Sequence, residues 1–107
     1  MAYKQRIQWE TLRSLDATTL NGTWQAVGTP LLQPSYICKM VNTGNELVLV
    51  SIDGTNAIDV CPGGGFWLYD ESKSHAEFLP RGTQFYVQGS AALSGAIYLV
   101  TQYLEIG

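Results

Sequence analysis

The sequence predicts an all-β domain: an antiparallel two-sheet β-sandwich, jelly-roll-like, with about seven or eight strands. Three observations carry that prediction. Short runs rich in Val, Ile, Tyr, Phe, Trp and Thr recur along the chain, and these side chains suit a pleated, half-buried surface. Clusters of Gly, Pro, Asn, Asp and Ser separate the runs at short, fairly regular intervals. No segment sustains the i, i+3, i+4, i+7 spacing of a helix, so a parallel sheet with crossover helices has no room.

The polar start, residues 1–8, reads as an arm that orders against a neighbour. Trp9, Leu12 and Leu15 fall three apart, the best helical spacing in the chain. Thr11, Thr18, Thr19 and the preceding Ile7–Trp9 alternation make this stretch strand and turn instead. Strands follow at 23–27, closed by Gly28-Thr29-Pro30, and at 36–42, closed by Asn42-Thr43-Gly44-Asn45. Residues 46–52 form the strongest strand, apolar enough to be buried on both faces or to lie mid-sheet. Asp53-Gly54 predicts a tight hairpin returning through Ala57-Ile58-Asp59-Val60. Pro62-Gly63-Gly64-Gly65 is a sharp corner into the aromatic strand 66–69, and 70–76 is the longest unpatterned loop. The Leu79-Pro80-Arg81-Gly82-Thr83 corner leads to a strand at 84–88, and the last strand runs 96–104. Two such corners fit the sheet-to-sheet crossings of a jelly roll.

At 107 residues the chain is one domain, 1–107, and buries roughly two-thirds of its unfolded surface, enough for a core without metal or disulfides. Charged residues are only 14 %, against about 25 % in a typical soluble protein, so part of the exterior is Thr/Ser/Asn/Gln-rich or hidden against a partner. The net charge is −3, and the cations Lys4, Arg6, Arg13, Lys39, Lys73 and Arg81 are scattered. Phosphate binding needs clustered cations, so nucleic acid is not an expected partner. The N-terminal run lacks the apolar stretch of a secretory signal, and no window is apolar enough to span a bilayer as a helix. The expectation is a chain made in a cytoplasm, with no membrane partner. Cys38 and Cys61 are then buried free thiols, Cys61 beside Pro62 being the more exposed.

Catalytic and metal signals are thin. His75, the single histidine, stands near Asp70, Glu71 and Glu77, but their spacing matches no ligand pattern and a solvated loop is favoured. Asp53-Gly54-Thr55-Asn56 with Asp59 lacks the alternating oxygen ligands and closing Glu of a calcium loop. The glycine corner at 62–65 has neither Lys-Ser/Thr nor a following helix to cradle phosphate. Asn21-Gly22-Thr23 matches the glycosylation pattern, which is idle without secretion. Trp9, Trp24 and Trp67 lie on three segments, which favours core or interface over a sugar-stacking platform. No enzyme activity, cofactor or metal is expected.

Several motifs together resemble small virion proteins of tailed bacteriophages. They are Gly28-Thr29-Pro30-Leu31, Lys39-Met40-Val41-Asn42-Thr43 and the Val50-Ser51-Ile52-Asp53-Gly54 hairpin. Asp59-Val60-Cys61-Pro62-Gly63-Gly64-Gly65-Phe66, Leu68-Tyr69-Asp70 and Leu79-Pro80-Arg81-Gly82-Thr83-Gln84 with Tyr86-Val87 continue the likeness, which covers about residues 25–104. The resemblance implies a structural role on the virion, foremost a capsid decoration (cement) protein bound to the major capsid protein. It also implies a homo-oligomer, dimer or trimer, and no catalytic residues. The expected partner-facing residues are Tyr3, Arg6 and Trp9 of the arm region and Pro62, Phe66, Pro80 and Arg81 of the corners. A carbohydrate-binding or host-adhesion module of a tail or fibre is the alternative, motivated by the dispersed aromatics.

Overall fold

The computed structural model describes residues 5–70 and 79–106. Among them nine strands and one 3₁₀ turn build two antiparallel sheets. The strands are β1 (Gln5–Trp9), β2 (Arg13–Asp16), β3 (Gln25–Ala26), β4 (Ile37–Asn42), β5 (Val48–Ser51), β6 (Asp59–Cys61), β7 (Phe66–Asp70), β8 (Tyr86–Gln88) and β9 (Ala96–Ile106). The 3₁₀ turn (Ala17–Thr19) follows β2 and is capped by Asp16, whose side chain accepts the Thr18 amide hydrogen.

One sheet, A, runs β1-β9-β4-β7, with β2 also on β9; the other, B, runs β3-β8-β5-β6. The pairings nest: β5 with β6, β4 with β7, β3 with β8, and β1 and β2 with β9. A long hairpin folded over once into two sheets gives this order, which is the jelly-roll topology. The expected two-sheet antiparallel sandwich is therefore the fold. β1 and β2 share one lane along β9, so the nine strands fill the eight lanes of a jelly roll.

Between those two strands the register slips. Trp9 faces Gln102 and Arg13 faces Leu99, so three residues (10–12) oppose two (100–101). This is a β-bulge, and it moves the inward phase from even to odd residues. Arg13 is consequently buried and Leu15 packs on the core.

Alternation along each strand sets the core. Cys38 and Met40 of β4, Val48 and Val50 of β5, Val87 of β8 and Ile97 and Leu99 of β9 point between the sheets and are almost fully buried. Phe85 and Trp67 join the two sheets edge-to-face, ring centres 5.7 Å apart at 61°. Burying each large aliphatic or aromatic side chain stabilises the fold by about 1.5–3 kcal/mol. Asn42, also inward, closes the β4–β5 connection by donating to the carbonyls of Glu46 (2.7 Å) and Cys61 (3.4 Å) and accepting from the Gly44 amide (2.9 Å).

Several local expectations are corrected. β3, at the edge of sheet B beside the three-residue β8, is only two residues long. β5 takes the second of its two expected placements, mid-sheet, while Leu47 and Ile52 beside its ends are exposed and Leu49 is half-buried. The Asp53-Gly54 reversal is not a two-residue hairpin but a loop over residues 52–58. Asp53 organises it by accepting from the Thr55 and Asn56 amides, both at 2.8 Å. Of the three glycines at 63–65 only Gly64 has positive φ, +71°. Cys61 is as fully buried as Cys38, since Cys61 points inward from β6. Of the expected arm, 5–8 belong to β1 and 1–4 lie outside the described residues, as does His75 with Glu71 and Glu77.

Candidate docking surface

The same alternation that fills the core leaves sheet A with an apolar outer face. Residues directly opposite in an antiparallel pair share a face. The register then gives rows across the sheet: Ile7–Leu104, Trp9–Gln102–Ile37–Asp70, Val100–Lys39–Leu68, and Ser14–Tyr98–Val41–Phe66. Trp9 is 60 % exposed, Phe66 61 %, Leu68 49 % and Ile7 48 %. Tyr98, Val100, Ile37, Val41 and Leu104 between them are half-buried. Lys39 is the single charge in the middle rows, with Asp70 and Asp16 towards the margins. Contiguous exposed apolar rows of this kind are uncommon on monomeric proteins, which makes this face the candidate docking surface. Beside Phe66 a shallow depression of about 250 Å³ is lined by Lys39, Val41, Gly64 and Gly65.

A second cleft, about 280 Å³, opens at the bulge between residues 10–14 and the Gly28–Thr29 turn. Arg13 and Glu10 meet at its floor, Nη2 to Oε1 at 2.7 Å, with side chains 6 % and 4 % exposed. Arg13 also donates to the carbonyls of Thr29 (2.7 Å) and Pro30 (2.9 Å). Glu10 accepts from the amides of Leu32 (3.1 Å) and Gln33 (3.0 Å). Burial alone would raise the Glu10 carboxyl; the Arg13 guanidinium and the two amides outweigh it and hold the group below its ordinary value. Arg13 Nη1 donates to Thr101 Oγ1 (3.4 Å) and the other polar atoms of the pair hold residues 29–33, so this cleft is structural.

The expected partner-facing residues divide. Trp9 and Phe66 both belong to the outer face of sheet A, at opposite ends of it. Pro62 is exposed at the Phe66 end. Pro80 and Arg81 are exposed at the other end, where Leu79 bridges to Ser35 beside β4. Arg6 lies in β1, opposite Glu105 and one position out of phase with Ile7 and Trp9. Tyr3 lies outside the described residues. The two corners are therefore not one surface.

Ile7, Leu68, Val41 and Val100 share this outer face and are not among the residues that the sequence singles out. Their signal is a strand apolar in both phases, as in Phe66-Trp67-Leu68-Tyr69, although only one phase of an outer sheet faces a core. Of the three tryptophans only Trp9 is widely exposed. Trp67 is 9 % exposed and donates its indole hydrogen to Asp59 at 2.7 Å, which removes it from any stacking platform.

Among the described residues no three His, Cys, Asp or Glu side chains come together to hold a metal, and no helix is long and apolar enough to cross a membrane. Compared with protein-family models, with curated proteins and with solved structures, the chain matches none.

Proposed function

We propose that this chain is a non-enzymatic structural protein of a phage virion, a decoration protein that docks on the major capsid lattice through the outer face of sheet A. The apolar outer face carries the proposal. Protein interfaces are poor in charge at their centre and rich in aromatics, which describes the rows from Trp9 to Phe66. The phage-like turn motifs supply the identity of the partner, and a jelly roll is a fold that capsid proteins use. A cement protein contacts several capsid subunits at once, so modest individual contacts add up to durable attachment.

The test is electron cryo-microscopy of virions from the host that carries the coding sequence, and of empty heads mixed with the purified chain. Ordered density on the lattice, with sheet A facing the capsid, is the expected result. Phe66→Asp with Leu68→Asp should keep the fold and lose the density. Bare heads, and virions without the chain, overturn the proposal. If the isolated domain instead binds a glycan array and Trp9→Ala abolishes that binding, the host-adhesion reading replaces it.

A further inference from the structure

We propose that β1 pairs with β1 of a second copy, antiparallel, about a two-fold axis through Ile7, joining two sandwiches along one sheet edge. The backbone hydrogen bonds identify which groups are available. In an antiparallel ladder the N–H and C=O of one residue point to the same neighbour, and successive residues alternate. The Thr101 carbonyl accepts from the Glu10 amide on the β1 side (3.2 Å). The carbonyls of Gln102 and Ala96 accept from the Tyr36 (3.2 Å) and Thr43 (3.0 Å) amides on the β4 side. Odd residues of β9 thus face β1, and Tyr103 and Glu105 take up the inward groups of Gln8 and Arg6.

The backbone groups of Gln5, Ile7 and Trp9 then point away from β9, to a side on which no described strand lies. Natural sheet edges are blunted by proline, bulges or inward charges. Within β1 there is no proline and no bulge, and Arg6 is its one charge. A strand left this bare is a template for another strand.

The sequence suits its own copy. With Ile7 opposite Ile7, Gln5 falls opposite Trp9 and Arg6 opposite Gln8, so every outward group meets a partner and Arg6 never faces itself. An axis normal to the sheet keeps both outer faces on one side. Ile7 and Trp9 of the two copies become the central stripe of a doubled apolar face. That this doubled face meets a capsid rests on the function proposed above; the pairing itself does not.

Sedimentation equilibrium of the full chain should find a reversible dimer, and Ile7→Pro should reduce it to monomer. Proline removes the outward N–H and is tolerated at an edge position whose N–H leaves the sheet. Ile7→Cys tests the same axis without proline. Opposed Cα atoms in such a pair lie about 5.5 Å apart, within disulfide reach, so mild oxidation should give a covalent dimer. Gln8→Cys, out of phase and off the axis, should not crosslink. A wild-type monomer up to about 1 mM, a dimer that survives Ile7→Pro, or an Ile7→Cys chain that does not crosslink overturns the pairing. Failure of the two proposals is separable: a dimer that ignores phage heads refutes only the capsid role, and a monomer that decorates them refutes only the pairing.

Discussion

Glu10 and Arg13 hold opposite charges at the rim of the sandwich, and their neighbours leave no polar atom of the pair unmet. Truncating Arg13 to Ala strands the Glu10 carboxylate against the Leu32 and Gln33 amides and frees the 28–33 segment. The expected loss is about 3 kcal/mol in urea unfolding, the low end for a broken buried pair because the adjoining cleft admits water. The same carboxyl sets an acid dependence. Glu10, Asp16 and Asp53 all titrate below their ordinary values, Asp16 through the Thr18 hydroxyl and amide, and Asp53 through the amides of Asn56 and Thr55. A depressed carboxyl stabilises the fold fully above its unfolded pKa of about 4 and loses that contribution as pH falls through the lower folded value. Melting temperature should therefore hold from neutral pH to about 5 and fall below about 4, with a shallower fall in Glu10→Gln. Burial also pushes the Cys38 thiol up to about 12 and raises Cys61, so neither should react with a thiol reagent at mildly alkaline pH until the chain unfolds. Nothing in the spacing of Glu10 and Arg13 announces their pairing. It is made by a bulge, and one inserted residue is invisible to a period-two reading.

At the scale of elements, turns decide as much as strands. Gly95, with φ +99°, lies where an added Cβ would stand 2.6 Å from the Thr43 carbonyl oxygen and 2.7 Å from the Gly44 amide nitrogen. Both atoms are backbone at the β4–β5 connection, so neither can swing aside. Gly95→Ala should cost about 3 kcal/mol, while Gly64→Ala, at φ +71° in open space, should cost only the left-handed strain of about 1 kcal/mol. Paired denaturant titrations separate the two. The strands themselves were legible: the runs at 36–42 and 46–52 contain β4 and β5, and those at 66–69 and 96–104 lie within β7 and β9, because β-branched and aromatic runs between turn residues have few other uses. Which side of each strand faces inward was not legible. β7 carries Phe66 and Leu68 on one side and Trp67 and Tyr69 on the other, and hydrophobicity cannot rank two apolar faces. The apolar outer face of sheet A hides in that ambiguity, whereas corners announce themselves by Pro and Gly.

Over the whole molecule, the jelly roll spends its low charge on one broad face. Polar substitution there should leave stability within about 0.5 kcal/mol of wild type, since Phe66 and Leu68 contribute little to the core. The same double variant, Phe66→Asp with Leu68→Asp, should abolish attachment to phage heads, a combination of outcomes that a core residue could not give. Nested pairing has a further effect, on the order in which the molecule can be made. Among the described strands β1 and β2 pair with β9 alone, and Gln5 meets Ile106 across nearly the full span of the fold. During synthesis the first strand must wait, unpaired, until the ribosome has delivered the last one. The edge that would bind a second copy, and the Ile7–Trp9 end of the apolar face, thus do not exist on a nascent or truncated chain. Translation past β9 acts as a checkpoint: only a finished domain can seat β1 at the sheet edge.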